Sequence, residues 1–387
     1  MKILKSHFIY FSIFILSFCF NSCREDELNE QVQRTVLVYM AGDNSLSSYV
    51  ETNLAQMERG LKTKQLNAGR LLVLADDGNI NTQLLEITNN GRRILKSYGT
   101  NLNTAEVTTF QQVWKDVKSL APASGYGLIL WSHGTGWYPS RSIASNIGYL
   151  KVDSRSKVQM RAFGLDGNDW MSTEDLATAL PDNEFEFIIF DACYMASVEL
   201  LYSLRKKSTY FIVSPTEILG SGLPYDEILD EVFVPKSELR TALKRICEKY
   251  FNCYENQSGS FQSAAISLIY ANKLSDLARK IRYLNLAVSI VNSTDVQRFN
   301  RQQLYPCFDF TDAYLHANNG RNEWSEELDS VVLIEYHTKN FIDLPLSSCC
   351  GLSTYIPQGN NLITDSLYRV TDWFKAINSK VSNLKQL

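Results

Sequence analysis

Apolar residues fall along the chain in short unbroken blocks, separated by polar turns and by segments of helical spacing. The first block, Thr35-Val36-Leu37-Val38-Tyr39-Met40, is stopped by Ala41-Gly42-Asp43-Asn44 and predicts a core strand with its turn. Ser47 to Leu61 repeats apolar positions at helical spacing. Arg70-Leu71-Leu72-Val73-Leu74-Ala75 predicts a second strand, closed by Asp76-Asp77-Gly78. Gln83 to Thr88 predicts a small extra strand, with Asn89-Asn90-Gly91 as a hairpin turn. Thr104 to Leu120 predicts a helix capped by Thr104. Further strands are predicted at Gly127 to Trp131, Phe185 to Phe190 and Thr209 to Val213.

Strands alternating with helices predict an α/β fold built on a mainly parallel sheet wrapped by helices. The strands are continuously apolar rather than alternating, which fits burial on both faces. This pattern holds to about residue 230. Beyond it, Ser237 to Tyr254 and Lys273 to Asn292 predict helices, and Ala264 to Ile269 and Gly351 to Ile356 predict strands, the last ended by Pro357. Pattern alone does not distinguish an extension of the first sheet from a second domain. A long connection, residues 138–162, carries Arg141, Lys151, Arg155, Lys157 and Arg161 among Ser, Asn and Gly. Connections this long are uncommon inside compact domains and tend to carry function; a tolerated surface insertion is the plainer reading.

The 387 residues suffice for a large core and, by length alone, for two domains. A net charge of −4 without a basic stripe argues against a nucleic-acid partner. Lys2 and Lys5 precede an apolar run, Phe8 to Phe20, too short to span a bilayer comfortably, so residues 1–22 read as a signal peptide. The run ends at Phe20-Asn21-Ser22-Cys23. A small residue before cysteine resembles the lipobox of bacterial lipoproteins, with Phe20 where that pattern usually has Leu. The resemblance implies an exported chain anchored to the membrane through lipid on Cys23. Ordinary cleavage beside an incidental cysteine is the alternative. Arg24-Glu25-Asp26-Glu27 resembles the surface-export signal of Bacteroidetes lipoproteins, so the expected location is the outer membrane, on its periplasmic or cell-surface side. Residues 23–33 are polar and read as a tether.

Of eight cysteines, on the lipoprotein reading Cys19 would leave with the signal peptide and Cys23 would carry lipid. Export permits disulfides, yet the spacing of Cys193, Cys247, Cys253, Cys307, Cys349 and Cys350 resembles no disulfide framework. His7, His133, His316 and His337 are scattered, so no local cluster has zinc spacing. No cofactor is expected, no EF-hand-type loop is present, and calcium dependence is left open.

The chemistry concentrates in two segments about sixty residues apart, Leu130-Trp131-Ser132-His133-Gly134 and Phe190-Asp191-Ala192-Cys193. Each follows a buried strand and delivers one reactive side chain just past its end, where open α/β sheets place their sites. A thiol must become a thiolate to attack a carbonyl, and a nearby imidazole lowers its pKa and takes the proton. Gly134 lets backbone approach a substrate, and the amides of Gly134 and Cys193 are candidates to bind a developing oxyanion. Singly, His133 is equally a satisfied histidine at a strand end and Cys193 an inert thiol; together they point to catalysis. Asp191 lies two residues before Cys193 and points the same way along the strand. It is either a binding site for a cationic substrate side chain or a structural acid capping a turn or the next helix.

These stretches resemble the clostripain family of cysteine peptidases, related to caspases and gingipains. The matching segments are Val36 to Asn44, Leu130 to Trp137, Phe190 to Glu199, Ser214-Pro215-Thr216-Glu217, Gly222-Leu223-Pro224-Tyr225 and Gly351-Leu352-Ser353, a likeness from about residue 34 to 375. The resemblance implies a caspase-like α/β/α sandwich, with a catalytic core at 34–235 and a helical and strand region at 236–387 completing the peptidase. It implies a Cys193–His133 dyad acting on protein or peptide substrates, with Asp191 in the S1 pocket selecting Arg or Lys. It implies a zymogen cut by itself in the 138–162 loop, after one of the five basic residues there. Some relatives carry a second acid in the turn before the Gly-Leu-Pro-Tyr segment, where this chain has Ser221; one carboxylate holds a basic side chain less strongly than two. Two other readings stand beside this one: a peptidase fold without activity that serves as a surface binding protein, and another thiol hydrolase or acyltransferase on the same dyad.

Overall fold

Within the first strand, β1 (Val32–Ala41), successive side chains go to opposite sides: Leu37, Tyr39 and Ala41 enter one apolar core, and Val36, Val38 and Met40 enter another. All six are buried. A strand buried on both faces has no use for polar alternation, which is why it reads as a continuous apolar block. The computed structural model describes residues 32–63, 66, 69–79, 81–100, 102–138, 163–288, 295–301, 307–357 and 362–379. Residues 1–22, read above as a signal peptide, and Cys23 lie outside these residues, as do Arg141, Lys151, Arg155, Lys157 and Arg161. The tether expected at 23–33 is shorter at its far end, because Val32 and Gln33 already open β1.

The remaining strands are β2 (Gly69–Asp76), β3 (Thr82–Thr88), β4 (Gly91–Gly99), β5 (Ala123–Trp131), β6 (Phe163–Asp166), β7 (Asp169–Met171), β8 (Phe185–Asp191) and β9 (Ser208–Val213). They continue with β10 (Ala265–Tyr270), β11 (Cys307–Asp309), β12 (Val332–His337), β13 (Asn340–Phe341), β14 (Leu344–Pro345) and β15 (Ser353–Tyr355). Nine of them form one sheet in the order β12-β10-β9-β8-β5-β1-β2-β3-β4. The five central strands, β9, β8, β5, β1 and β2, are parallel, and antiparallel strands extend both sides. The helices Ser47–Thr63 and Leu239–Glu255 cover one face; Val107–Leu120, Val198–Leu204, Leu274–Tyr283 and Asp372–Asn378 cover the other. The result is the three-layered α/β/α arrangement expected. Phe190, 1% exposed, anchors the end of β8 between the rings of Phe163 and Phe211; truncating such a side chain to Ala costs about 3–5 kcal/mol.

Four local expectations change. The second helix starts at Val107 with Glu106 as N-cap, because Thr104 is engaged elsewhere: its N–H and hydroxyl donate to Asp166 at 2.5 and 2.8 Å. The helix expected from Lys273 to Asn292 stops at Tyr283, where Asn285 turns left-handed at φ 51° and Leu286 N–H donates back to the Ile281 carbonyl. The Gly351–Ile356 segment contributes β15, which pairs with β11 rather than with the large sheet. β4 and β12, the two edges, were not expected; β4 carries Arg92, Arg93 and Lys96, charges that discourage edge-to-edge pairing. The second half of the chain does extend the first sheet, through β10 and β12.

Candidate active site

β5 and β8 are parallel neighbours in register, with Trp131 opposite Asp191. His133 and Cys193 each stand two residues past that pair, so the sheet itself brings the two loops side by side. Ser132 N–H continues the ladder to the Asp191 carbonyl at 3.3 Å. The Ser132 hydroxyl donates to the Ala41 carbonyl at 2.7 Å and accepts from Leu165 N–H at 3.1 Å, tying the ends of β5 and β1 to β6. Gly134 has no room for a side chain: a Cβ there would lie 2.5 Å from the Cys193 carbonyl oxygen and 2.9 Å from Met195 Sδ. The two loops therefore touch through backbone.

The chain turns sharply after the thiol. Tyr194 is held at φ 62°, uncommon for a residue with a side chain. Its N–H donates to the Thr216 carbonyl at 2.8 Å, and its hydroxyl accepts from Asn300 Nδ2 at 2.8 Å. Ala196 N–H donates to the Ser214 carbonyl, and Ser197 then caps the helix Val198–Leu204. The fold thus enforces a strained strand–turn–helix corner that presents Cys193 at its tip, as strained backbone does at functional sites.

The amides of Gly134 and Cys193 donate to no other described residue. The Cys193 thiol is half-buried; Sγ accepts from Ile218 N–H at 3.3 Å and lies 3.8 Å from the Ile218 carbonyl oxygen. Burial pushes this thiol up to about 12, and the carboxylates of Glu217 and Asp191 add in the same direction. The depressed thiol expected beside an imidazole is not what the structure holds. Among the described residues, no hydrogen bond joins His133 to Cys193. His133 Nε2 instead meets the Ser45 hydroxyl at 2.9 Å, and its ring packs 6.4 Å from that of Trp170. Burial holds the imidazole below its ordinary pKa, so it is neutral near pH 7.

Asp191 is 4% exposed. Its Oδ2 accepts from Leu223 N–H at 3.1 Å and the Tyr225 hydroxyl at 2.8 Å, and burial raises the carboxyl to about 6. Gly222, at φ 69°, lies over it so closely that a Cβ would sit 2.7 Å from Oδ2. Ser221 is exposed at the rim, with its hydroxyl 2.8 Å from that of Tyr254. Tyr254 also donates to the Gly222 carbonyl, closing the turn. Asp191 and Ser221 are therefore brought to the same turn, beside Cys193. Sequence reasoning missed Ser45, Trp170 and Glu217 as neighbours of the pair. Glu217, bound by Arg301 at 3.2 Å, closes the flagged Ser214–Glu217 segment and Ser45 directly follows the flagged Val36–Asn44 segment, but their placement beside the pair depends on side-chain direction. The residues on either side of 139–162 lie here: Trp137 and Tyr138 are buried on one side, and Gly164 N–H donates to the His133 carbonyl on the other.

A family profile described as the clostripain family matches residues 38–381. The chain is similar to an inactive zymogen C11 protease from Parabacteroides distasonis, at 30% identity over 90% of this chain and 99% of that one, with a TM-score of 0.75. It is similar to a secreted C11 cysteine protease from Bacteroides thetaiotaomicron, solved with an irreversible peptide inhibitor, at 28% identity over 89% and 99% of the two chains, with a TM-score of 0.74. A further secreted C11 protease from that organism, iotapain, shares the fold at 21% identity, over 90% and 99% of the chains, with a TM-score of 0.75. No curated protein matches the chain.

Proposed function

The chain belongs to the clostripain family and is a cysteine peptidase; from that premise we propose that Cys193 and His133 cut protein or peptide chains after Arg or Lys, and that a cut within residues 138–162 switches the enzyme on. The observation that carries this reading is the register of β5 against β8, which sets His133 and Cys193 on adjoining loops beside two unengaged amides. Cys193 Sγ attacks the substrate carbonyl carbon, and its proton passes to His133. The oxygen, now negative, takes hydrogen bonds from the Gly134 and Cys193 amides. His133 gives the proton to the departing amine as the C–N bond breaks, leaving a thioester. Water, deprotonated by His133, then releases the acid and frees the thiol.

A neutral thiol and a neutral imidazole suit that sequence without an ion pair in the resting chain. Asp191 supplies the charge that a basic P1 side chain seeks, with Ser221 at the pocket rim. In the described arrangement the turn from Leu219 to Tyr225 covers Asp191, so a substrate reaches it only after that turn moves. The relative from Parabacteroides distasonis is an inactive zymogen by its description, which supports reading the covered pocket as the resting form. The anchor belongs to this proposal as well: lipid on Cys23 would hold the enzyme at the outer membrane, on its periplasmic or cell-surface side. Among the described residues, no helix is long and apolar enough to cross a membrane.

Intact mass of the mature protein and of Cys193→Ala tests the proposal. Wild type is expected as two fragments split after a Lys or Arg within 138–162, while the variant stays whole. If the wild type is whole and also fails to cleave P1-Arg and P1-Lys peptides, the inert surface protein replaces this reading.

A further inference from the structure

A second Cys–His pairing lies at the same end of the sheet, away from the catalytic corner. β12 pairs with β10, with Glu335 opposite Ser267 and His337 opposite Ala265. Two residues apart on one strand, Glu335 and His337 share a face. The loop leading to β15 crosses that face. Ser267 Oγ donates to the Gly351 carbonyl at 2.6 Å, and a Cβ on Gly351, at φ 80°, would sit 2.8 Å from Ser267 Cβ and 3.0 Å from Glu335 Cγ. From the other side, the buried Asp309 accepts from Cys350 N–H at 2.6 Å and Ser348 Oγ at 3.2 Å. Cys349 sits between these anchors. Its Sγ, a carboxylate oxygen of Glu335 and a ring nitrogen of His337 all lie within 4.8 Å of one another. His337 Nδ1 is 2.6 Å from Glu335. All three side chains are half-buried, and none serves the peptidase chemistry.

We propose that Glu335, His337 and Cys349 bind a divalent cation of the zinc class, which fastens the 346–352 loop to the edge strand β12. Thiolate, imidazole and carboxylate together form a zinc donor set, and a fourth position remains for water. Tetrahedral zinc holds its donors roughly 3.4–3.7 Å apart, so small side-chain rotations close the site. The Cys349 thiol releases its proton to solvent as the metal–sulfur bond forms, and His337 binds as neutral imidazole. The carboxylates of Glu335 and Asp309 make the place electrostatically negative before any cation arrives. The loop continues into Ser353, whose N–H donates to the Ala196 carbonyl behind the catalytic turn, so the cation would steady that support without touching substrate.

Zinc chloride titrated against a chromophoric chelator tests this, with Cys193→Ala as the parent so that the catalytic thiol contributes nothing. One equivalent is expected to bind. Affinity is expected to fall at least tenfold when Cys349→Ser, His337→Ala or Glu335→Gln is added, three independent changes that guard against one failing to fold. Cobalt in place of zinc should give a thiolate charge-transfer band that Cys350→Ser keeps and Cys349→Ser removes. No stoichiometric binding, binding indifferent to these three changes, or a band that follows Cys350 would each overturn the proposal.

Discussion

Cys193 and Cys349 are both half-buried thiols at one end of one sheet, and burial raises the pKa of both. Their surroundings are opposite. Cys193, the nucleophile of the proposal, has a histidine on the adjoining loop that is turned to Ser45, and two backbone amides with nothing to bind. Cys349 has an imidazole and a carboxylate gathered against it. The contrast teaches that cysteine beside histidine is not what marks the catalytic centre. A centre that must stabilise a transient charge keeps donors unspent; a centre that holds an ion collects its ligands in advance.

The harshest way to break the contrast is to exchange the thiols' importance. Cys193→Ala should lower kcat/KM on a P1-Arg peptide by about 10⁴-fold or more, whereas Cys349→Ser should leave it within about threefold; fluorogenic assays of pre-cut enzyme measure both. Next comes the backbone contact: Gly134→Ala forces a Cβ against the Cys193 carbonyl and should reduce kcat by about 10²–10³-fold. Equal activity would mean that the two loops are not held as described. Asp191→Asn should cost about 10²-fold in kcat/KM for P1-Lys and much less for a neutral P1.

The same variant has a stability signature. Burial raises Asp191 from 3.8 to about 6, so the folded state binds its proton more tightly than the unfolded chain does. That contribution is fully present below about pH 4 and is lost as pH rises through 6, a change of about 3 kcal/mol. Thermal melts should therefore show Asp191→Asn gaining on its parent as pH rises from 4 to 7; a constant difference would contradict the burial. The smallest effect concerns His133. With no hydrogen bond to the thiol, His133→Ala should change the rate at which iodoacetamide alkylates Cys193 by less than about threefold, while peptide cleavage falls steeply.

Much of the frame was legible. Central strands such as β1 and β8 announce themselves because both faces are buried, and the motifs that follow them locate His133, Cys193 and Asp191 within a residue. Edges were not legible: β12, partly exposed throughout and interrupted by Glu335, lacks a clean period, and β4 is dominated by charge. Thr104 looked like a helix cap, yet a distant carboxylate, Asp166, had prior claim to its hydroxyl. The Glu335–His337–Cys349 group was invisible because its members come from a strand and a separate loop, with no local spacing to betray them. Above all, sequence places residues at strand ends but not the direction of their side chains, which is why His133 was expected on the thiol and is found on Ser45.

The most direct test of the central claim is to map where a P1-Lys chloromethyl ketone attaches to the pre-cut enzyme, by peptide mass. The account predicts a single adduct on Cys193, absent in Cys193→Ala and slowed in Asp191→Asn. An adduct on any other cysteine, or none while the same protein cleaves P1-Lys peptides, would contradict it.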